Sequence, residues 1–145
     1  MTTTITPHLC CAGAARAIAF YVAAFGAREE YRLAEPDGKI GHAELRIGDA
    51  LFTLADEYPD YGVRSPRAYG GSPVSMKLQV PDVDAFVARA VTAGATVVRP
   101  AADQFYGERS ARLEDPFGHV WQVSTTIEQI SLAEMERRFA ALFKT

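Results

Sequence analysis

Asp115-Pro116-Phe117-Gly118-His119-Val120-Trp121-Gln122-Val123-Ser124 is the stretch whose reading decides the fold. Pro116 presets φ and Gly118 tolerates a left-handed backbone, so Asp-Pro-Phe-Gly predicts a tight turn. The residues after it alternate as a half-buried strand does, with Trp121 and Val123 on one face and Val120, Gln122 and Ser124 on the other. Gln122 is therefore expected to point away from the apolar layer. His119 shares parity with Trp121 and is expected at the turn or toward the apolar side, with Trp121 in the core.

Upstream, the spacing predicts strands over Thr96 to Arg99, Ser110 to Glu114 and His119 to Thr125. Before them lies a helix with Asp82 as N-cap, carrying Val83, Phe86, Val87, Ala90 and Val91 and ending at Gly94. A strand within Pro73 to Val80 precedes it, with Met76, Leu78 and Val80 opposite Ser75, Lys77 and Gln79. The first half repeats this order. Ile5 to Cys11 reads as a strand, and Ala14 to Phe25 as a helix with Ile18, Val22 and Phe25 on one stripe and Gly26 as its stop. Arg28 to Leu33 and Lys39 to Ile47 flank the turn Pro36-Asp37-Gly38, and Ala50 to Ala55 follows. Internal repetition of this kind identifies the architecture. The expectation is an α+β fold of two tandem βαβββ modules plus a C-terminal helix; that the modules form a curved, cleft-enclosing mixed sheet is what the family resemblance set out below implies. A single domain over 1–145 divides into a first module (5–57), a linker loop (58–72), a second module (73–126) and the terminal helix (127–145). The linker holds Tyr58, Tyr61 and Tyr69 and exceeds the usual connection of roughly 4–6 residues, so it reads as a functional loop or a plain connector. Ser131-Leu132-Ala133-Glu134 is a capping box. Leu132, Met135, Phe139, Leu142 and Phe143 then make an apolar stripe that is expected to pack on its own module or on a partner subunit.

Composition narrows the function. The 145 residues suffice for one domain with a core, and 48% hydrophobic with 23% charged residues is ordinary for a soluble globular protein. A net charge of −3 supplies no basic field for nucleic acid. No apolar stretch is long enough to span a bilayer, and Met1 to Thr6 lacks the regions of a signal peptide, so a cytoplasmic protein is expected. Cys10 and Cys11 are adjacent and point to opposite faces of a strand, which disfavours pairing.

Strand parity places the polar side chains on the face away from the helices. These are Thr6, His8 and Cys10; His42, Glu44 and Arg46; Ser75, Lys77 and Gln79; Ser110 and Arg112; and Gln122. The predicted cleft is polar and more cationic than the whole chain. Lys77, Arg46 and Arg112 suit a carboxylate or phosphate, or else balance Glu44 and Glu114. Phe105 and Tyr106 are placed to stack on an aromatic ligand at the cleft mouth, or to pack. Gly-rich phosphate loops, paired acid/base carboxylates and Ser-centred nucleophile motifs are absent from the sequence.

The duplicated order resembles the vicinal-oxygen-chelate superfamily of glyoxalase I, bleomycin-resistance proteins and extradiol dioxygenases. Its PhnB-like branch is the nearest likeness, through Ile5-Thr6-Pro7-His8, Ala17-Ile18-Ala19-Phe20-Tyr21, Ala24-Phe25-Gly26-Ala27, Gly41-His42-Ala43-Glu44 and Asp115-Pro116-Phe117-Gly118-His119. The resemblance implies a homodimer with a cleft shared or completed by the partner. It also implies that the superfamily's metal-ligand positions fall on Thr6, Thr53, Ser75 and Gln122. Hydroxyls and an amide are weak ligands there, so neither metal nor other cofactor is expected. A separate set, His8, His42 and Glu44, shares the cleft face, and reads as a hydrogen-bonded cluster or as a metal or acid–base site. Two classes stay open. One is a metal-free protein binding an aromatic or anionic small molecule, as drug-sequestering superfamily members do. The other is an enzyme using His8, His42 and Glu44.

Overall fold

Eight strands and the two helices between them form a duplicated unit in the computed structural model, which describes residues 1–144. The first unit runs β1 (His8–Cys11), α1 (Ala14–Phe25), β2 (Arg28–Ala34), β3 (Ile40–Ile47) and β4 (Ala50–Asp56). The second runs β5 (Ser75–Gln79), α2 (Val83–Ala93), β6 (Thr96–Asp103), β7 (Glu108–Glu114) and β8 (Val120–Thr126), and α3 (Leu132–Ala141) follows. The result is two four-stranded mixed sheets, ordered β1-β4-β3-β2 and β5-β8-β7-β6. In each, the first and last strands pair in parallel and the remaining neighbours are antiparallel. The connection between units is not structureless, since short 3-10 turns form at Pro59–Tyr61 and Pro66–Tyr69.

Each helix is started by its own module's last strand. The Asp56 carboxylate accepts from Gly13 N (3.1 Å), Ala14 N (2.8 Å) and Ile40 N (2.7 Å). Gly13, the N-cap of α1, has no side chain to do this. At the matching place in the repeat, Thr125 Oγ1 accepts from Val83 N at 2.8 Å, while Asp82 caps Ala85 N at 3.2 Å as expected from the sequence.

One core joins the modules on the helix-facing sides of both sheets. The rings of Tyr21 and Phe52 lie 5.6 and 5.7 Å from Trp121, and Phe25 stacks on Phe86 of α2 at 5.1 Å. At its centre is Asp115, 3% exposed. One of its oxygens accepts from Phe117 N (2.9 Å) and His119 N (3.0 Å), and the other from Trp121 Nε1 (2.9 Å) and the Tyr21 hydroxyl. Four donors match the carboxylate's acceptor sites, which is what allows it to be buried. The Asp-Pro-Phe-Gly turn thus fastens the second module to α1 of the first. Gly118 at φ +90° faces the linker, where a Cβ would lie 3.1 Å from Pro66 Cβ.

Several boundaries differ from the sequence reading. β1 starts at His8 instead of Ile5, and residues 1–7 run exposed before it. β6 continues through Pro100 to Asp103, because it is an edge strand whose register with β7 shifts around Arg99 and Ala102. β7 begins two residues early, at Glu108. The stripe of α1 centres on Tyr21, and Val22 is 41% exposed. The terminal helix packs through Phe139 on Phe105, 5.6 Å between rings, whereas Leu132, Leu142 and Phe143 are exposed. No described helix is long and apolar enough to cross a membrane.

Candidate functional site

The polar faces of both sheets lie opposite the shared core. On the first sheet, ladder register sets His8, Thr53, Glu44 and Tyr31 side by side across β1, β4, β3 and β2. His8 Nδ1 and Thr53 Oγ1 are hydrogen-bonded at 2.7 Å. The His42 ring stacks on that of His8, centroids 5.7 Å apart and 12° from parallel, and lies 5.9 Å from Tyr31. Burial, and then the neighbouring His42, hold the His8 imidazole below its ordinary value, favouring the neutral ring. Stacked rings present faces to one another, and His8 Nδ1 is already engaged. Among the described residues no group of three or more His, Cys, Asp and Glu is arranged to hold a metal ion.

Cys10 shares this face, with Sγ 3.8 Å from the Asp56 carbonyl. Burial, with Glu57 and Asp56 nearby, pushes its thiol up to about 11, so it is protonated at neutral pH and a poor nucleophile. Cys11 points into the core and both cysteines are free.

The second sheet carries a different chemistry. Lys77, Gln122, Arg112 and Arg99 pair in succession across β5, β8, β7 and β6. Three cations and one amide therefore form a single transverse row. Arg99 Nη2 donates to Ser110 Oγ at 3.0 Å, and Tyr106 Oη lies 3.4 Å from the same oxygen. Lys77 pairs with Glu108 at 3.2 Å and sits 5.9 Å from the Tyr106 ring. Arg112 has no ion pair among the described residues, although Arg99 stands directly opposite it. Like charges placed so destabilise a sheet, and a bound anion would offset that cost. The next row holds Gln79, Ser124 and Ser110. Gln79 donates to Thr126 Oγ1 at 2.8 Å. Ser124 Oγ and Glu108 Oε2 are buried without a hydrogen-bond partner among the described residues.

His8, Cys10, His42, Glu44 and Thr53 are thus gathered on one polar face, and Lys77, Gln79, Tyr106, Arg112 and Gln122 on the other. Ser75 lies with Thr6 around a cavity of about 400 Å³ where the N-terminal arm meets β5. Phe105 is taken up by α3. Two residues of this face lie outside the sequence reading's candidates: Arg99, within the expected strand but opposite Arg112 only through a shifted register, and Glu108, two residues before the expected start of β7. His119 is buried toward the core side, with Nε2 2.8 Å from the Cys10 carbonyl.

At the four positions where the resemblance puts metal ligands, the chain carries Thr6, Thr53, Ser75 and Gln122. Thr6, Ser75 and Thr53 offer neutral hydroxyls, and Thr53 is engaged by His8. Gln122 lies between Lys77 and Arg112, whose charges repel a cation.

Comparison with known proteins agrees with this architecture. The family model "Glyoxalase/Bleomycin resistance protein/Dioxygenase superfamily" matches residues 4–123. Protein Mb0911c of Mycobacterium bovis is 44% identical over 135 residues, 91% of this chain and 89% of that protein. TioX from Micromonospora sp. ML1 has a crystal structure similar at TM-score 0.67 and 28% identity, covering 89% of this chain and 100% of that one. The fosfomycin resistance protein FosX from Listeria monocytogenes, solved with Mn(II) and sulfate ion, shares the fold at TM-score 0.68 and 16% identity, over 96% and 98% of the two chains. The chain belongs to the glyoxalase/bleomycin resistance protein/dioxygenase superfamily.

Proposed function

We propose that this protein binds a small anionic molecule, with an aromatic or otherwise apolar body, on the polar face of its sheets without a divalent metal. The observation that carries this reading is the Lys77–Gln122–Arg112–Arg99 row. Guanidinium groups recognise carboxylate and phosphate with paired, charge-assisted hydrogen bonds, and Gln122 contributes a neutral amide beside them. Tyr106, at the edge of this row, supplies an aromatic surface. The first sheet adds uncharged His8 and the polar groups of Thr53 and Glu44. The reading is a binding protein of the bleomycin-resistance type, in the PhnB-like branch, acting on a drug-like or metabolic anion in a reduced cytoplasmic setting. A second copy of the chain covers the polar faces, as the exposed Tyr31, Leu33 and Val74 on or beside them suggest.

A second reading rests on the His8–Thr53 hydrogen bond. A neutral imidazole held by a hydroxyl, with Glu44 next in the row, is suited to proton transfer, and would make the protein an acid–base enzyme.

Isothermal titration with phenyl phosphate and with phenol, at low and high salt, tests the binding reading. Phenyl phosphate should bind at least about tenfold more tightly than phenol and weaken with salt, since the anion supplies the affinity. Equal affinity for the two would contradict it. Proton exchange catalysed in a bound carbon acid and lost in His8→Gln would favour the enzyme.

A further inference from the structure

The duplication makes the two hairpin turns comparable, and they do not match. In the second module Asp115 faces His119 across Pro116-Phe117-Gly118, with Asp115 N donating to His119 O at 2.9 Å. In the first, Ile47 pairs with Ala50 across only Gly48-Asp49. The longer turn fills the seam beside β1. Phe117 enters the core, and His119 reaches the outer edge of β1 at the Cys10 carbonyl. The shorter turn has neither side chain, and the outer edge of β5 opposite it is left open. A pocket of about 690 Å³ results, bounded by residues 47–50, β5 with the residues after it, and the start of α2.

Apolar side chains make up much of its wall, with Lys77 and Gln79 of β5 at its border with the polar face. Phe25 and Phe86 stack there, 24° from parallel, with Ile47, Leu78 and Val80 around them. Arg89 lies along one side. Its Nε donates to Ala23 O at 2.8 Å and its Nη2 to Val22 O at 3.4 Å, so the carbonyls ending α1 fix the guanidinium. Its Nη1 has no hydrogen-bond partner among the described residues. Asp82 also lines the pocket, but its carboxylate is committed to capping α2. Asp49, on the turn, disfavours a polyanion.

We propose that this seam pocket, which shares only Lys77 and Gln79 of its lining with the polar face of the second sheet, is a second binding site for a planar aromatic molecule bearing a single acidic group. The ring lies against the Phe25–Phe86 pair and the acidic group meets Arg89. The volume is in the range of small-molecule sites, whose walls are mostly apolar with a few polar groups to orient the ligand. The site follows from the break in internal symmetry.

An amide-resolved NMR titration with anilinonaphthalene sulfonate tests this, alongside neutral phenylnaphthylamine and the rim variant Ala85→Trp. Ala85 is exposed, so the bulky side chain is tolerated by the fold, and an unchanged melting temperature verifies that. The sulfonate should shift the amides of Ile47, Ala50, Leu78 and Ala85 and bind about tenfold more tightly than the neutral amine. Ala85→Trp should weaken it by a similar factor. Shifts confined to the polar faces or to the apolar stripe of α3 would overturn the site, as would unchanged binding in Ala85→Trp. Equal binding of the neutral amine would overturn the acidic requirement.

Discussion

Replacing Asp115 by Asn tests why the Asp-Pro-Phe-Gly turn is built as it is. The substitution keeps the shape and removes the charge. Each carboxylate oxygen accepts from two donors, one from the backbone amides of Phe117 and His119, the other from Tyr21 and Trp121. An amide can accept on one side only, and either orientation sets its NH₂ against two donors. With the NH₂ toward the side chains, the Tyr21 hydroxyl can rotate to accept, but the Trp121 N–H cannot. Hydrogen bonds to a charged group contribute about 1.5–3 kcal/mol, and a buried donor left unmade costs about 1–3 kcal/mol. Together these give a loss of about 3–5 kcal/mol, a large part of a typical domain's stability. Urea unfolding followed by fluorescence is a direct assay, because Trp121 is the only tryptophan in the sequence. Tyr21→Phe removes one bond to the carboxylate without stranding a donor, and should cost about 1.5–3 kcal/mol. A loss below about 0.5 kcal/mol in Asp115→Asn, or a larger loss in Tyr21→Phe, would refute the reasoning. A pH corollary follows. Burial and then Asp115 hold the Tyr21 phenol protonated well above its ordinary 10. The unfolded chain therefore releases this proton first, and stability should fall as pH rises past 10, less steeply in Tyr21→Phe.

Other perturbations reach separate parts of the structure. Asp56→Ala strands the amides of Gly13, Ala14 and Ile40, and should cost about 2–4 kcal/mol in denaturant unfolding; a change under about 0.5 kcal/mol would mean that Asp56 does not start α1. Gly107→Ala should destabilise by about 1–3 kcal/mol, because the residue sits at φ +84° and a Cβ would lie 2.7 Å from the Glu128 carbonyl; a neutral effect in thermal melts would be incompatible with that packing. For His8, whose folded value is lowered from 6.5, the unfolded state takes up the proton first, so stability should decline as pH falls through 6.5 and below. His8→Gln should flatten that decline, and an unaltered pH profile in the variant would count against a desolvated His8.

How much of this was legible in the sequence depended on how local each signal was. The duplicated order showed in hydrophobic alternation and in the stops at Gly26 and Gly94, since periodicity and helix ends are near-neighbour properties. Side-chain parity likewise put Gln122, Lys77 and Arg112 on one face and Trp121 on the other. The transverse row was not legible, because cross-strand register depends on turn lengths and on a β6 that passes through Pro100. Asp56 and Asp115 escaped for the same reason. The donors to Asp56 come from residues 16 to 43 positions away and the Tyr21 donor to Asp115 from 94, so only the turn amides of Phe117 and His119 lie close enough in sequence for a local pattern to announce. His8 and His42 were grouped correctly by face, yet their stacking and the His8–Thr53 bond came only with the sheet order.

The central claim is that Arg112 and its row hold an anion. Amide-resolved NMR of the wild-type protein and Arg112→Gln, titrated with phenyl phosphate, tests it most directly. Arg112 is half-buried, has no ion pair among the described residues and faces Arg99, so the variant should fold at least as stably as the parent. We expect phenyl phosphate to shift the amides of Lys77, Gln122, Arg112 and Ser110 in the wild type, and to bind Arg112→Gln about tenfold or more weakly. Shifts elsewhere in the chain, or the same affinity in both proteins, would contradict the anion site.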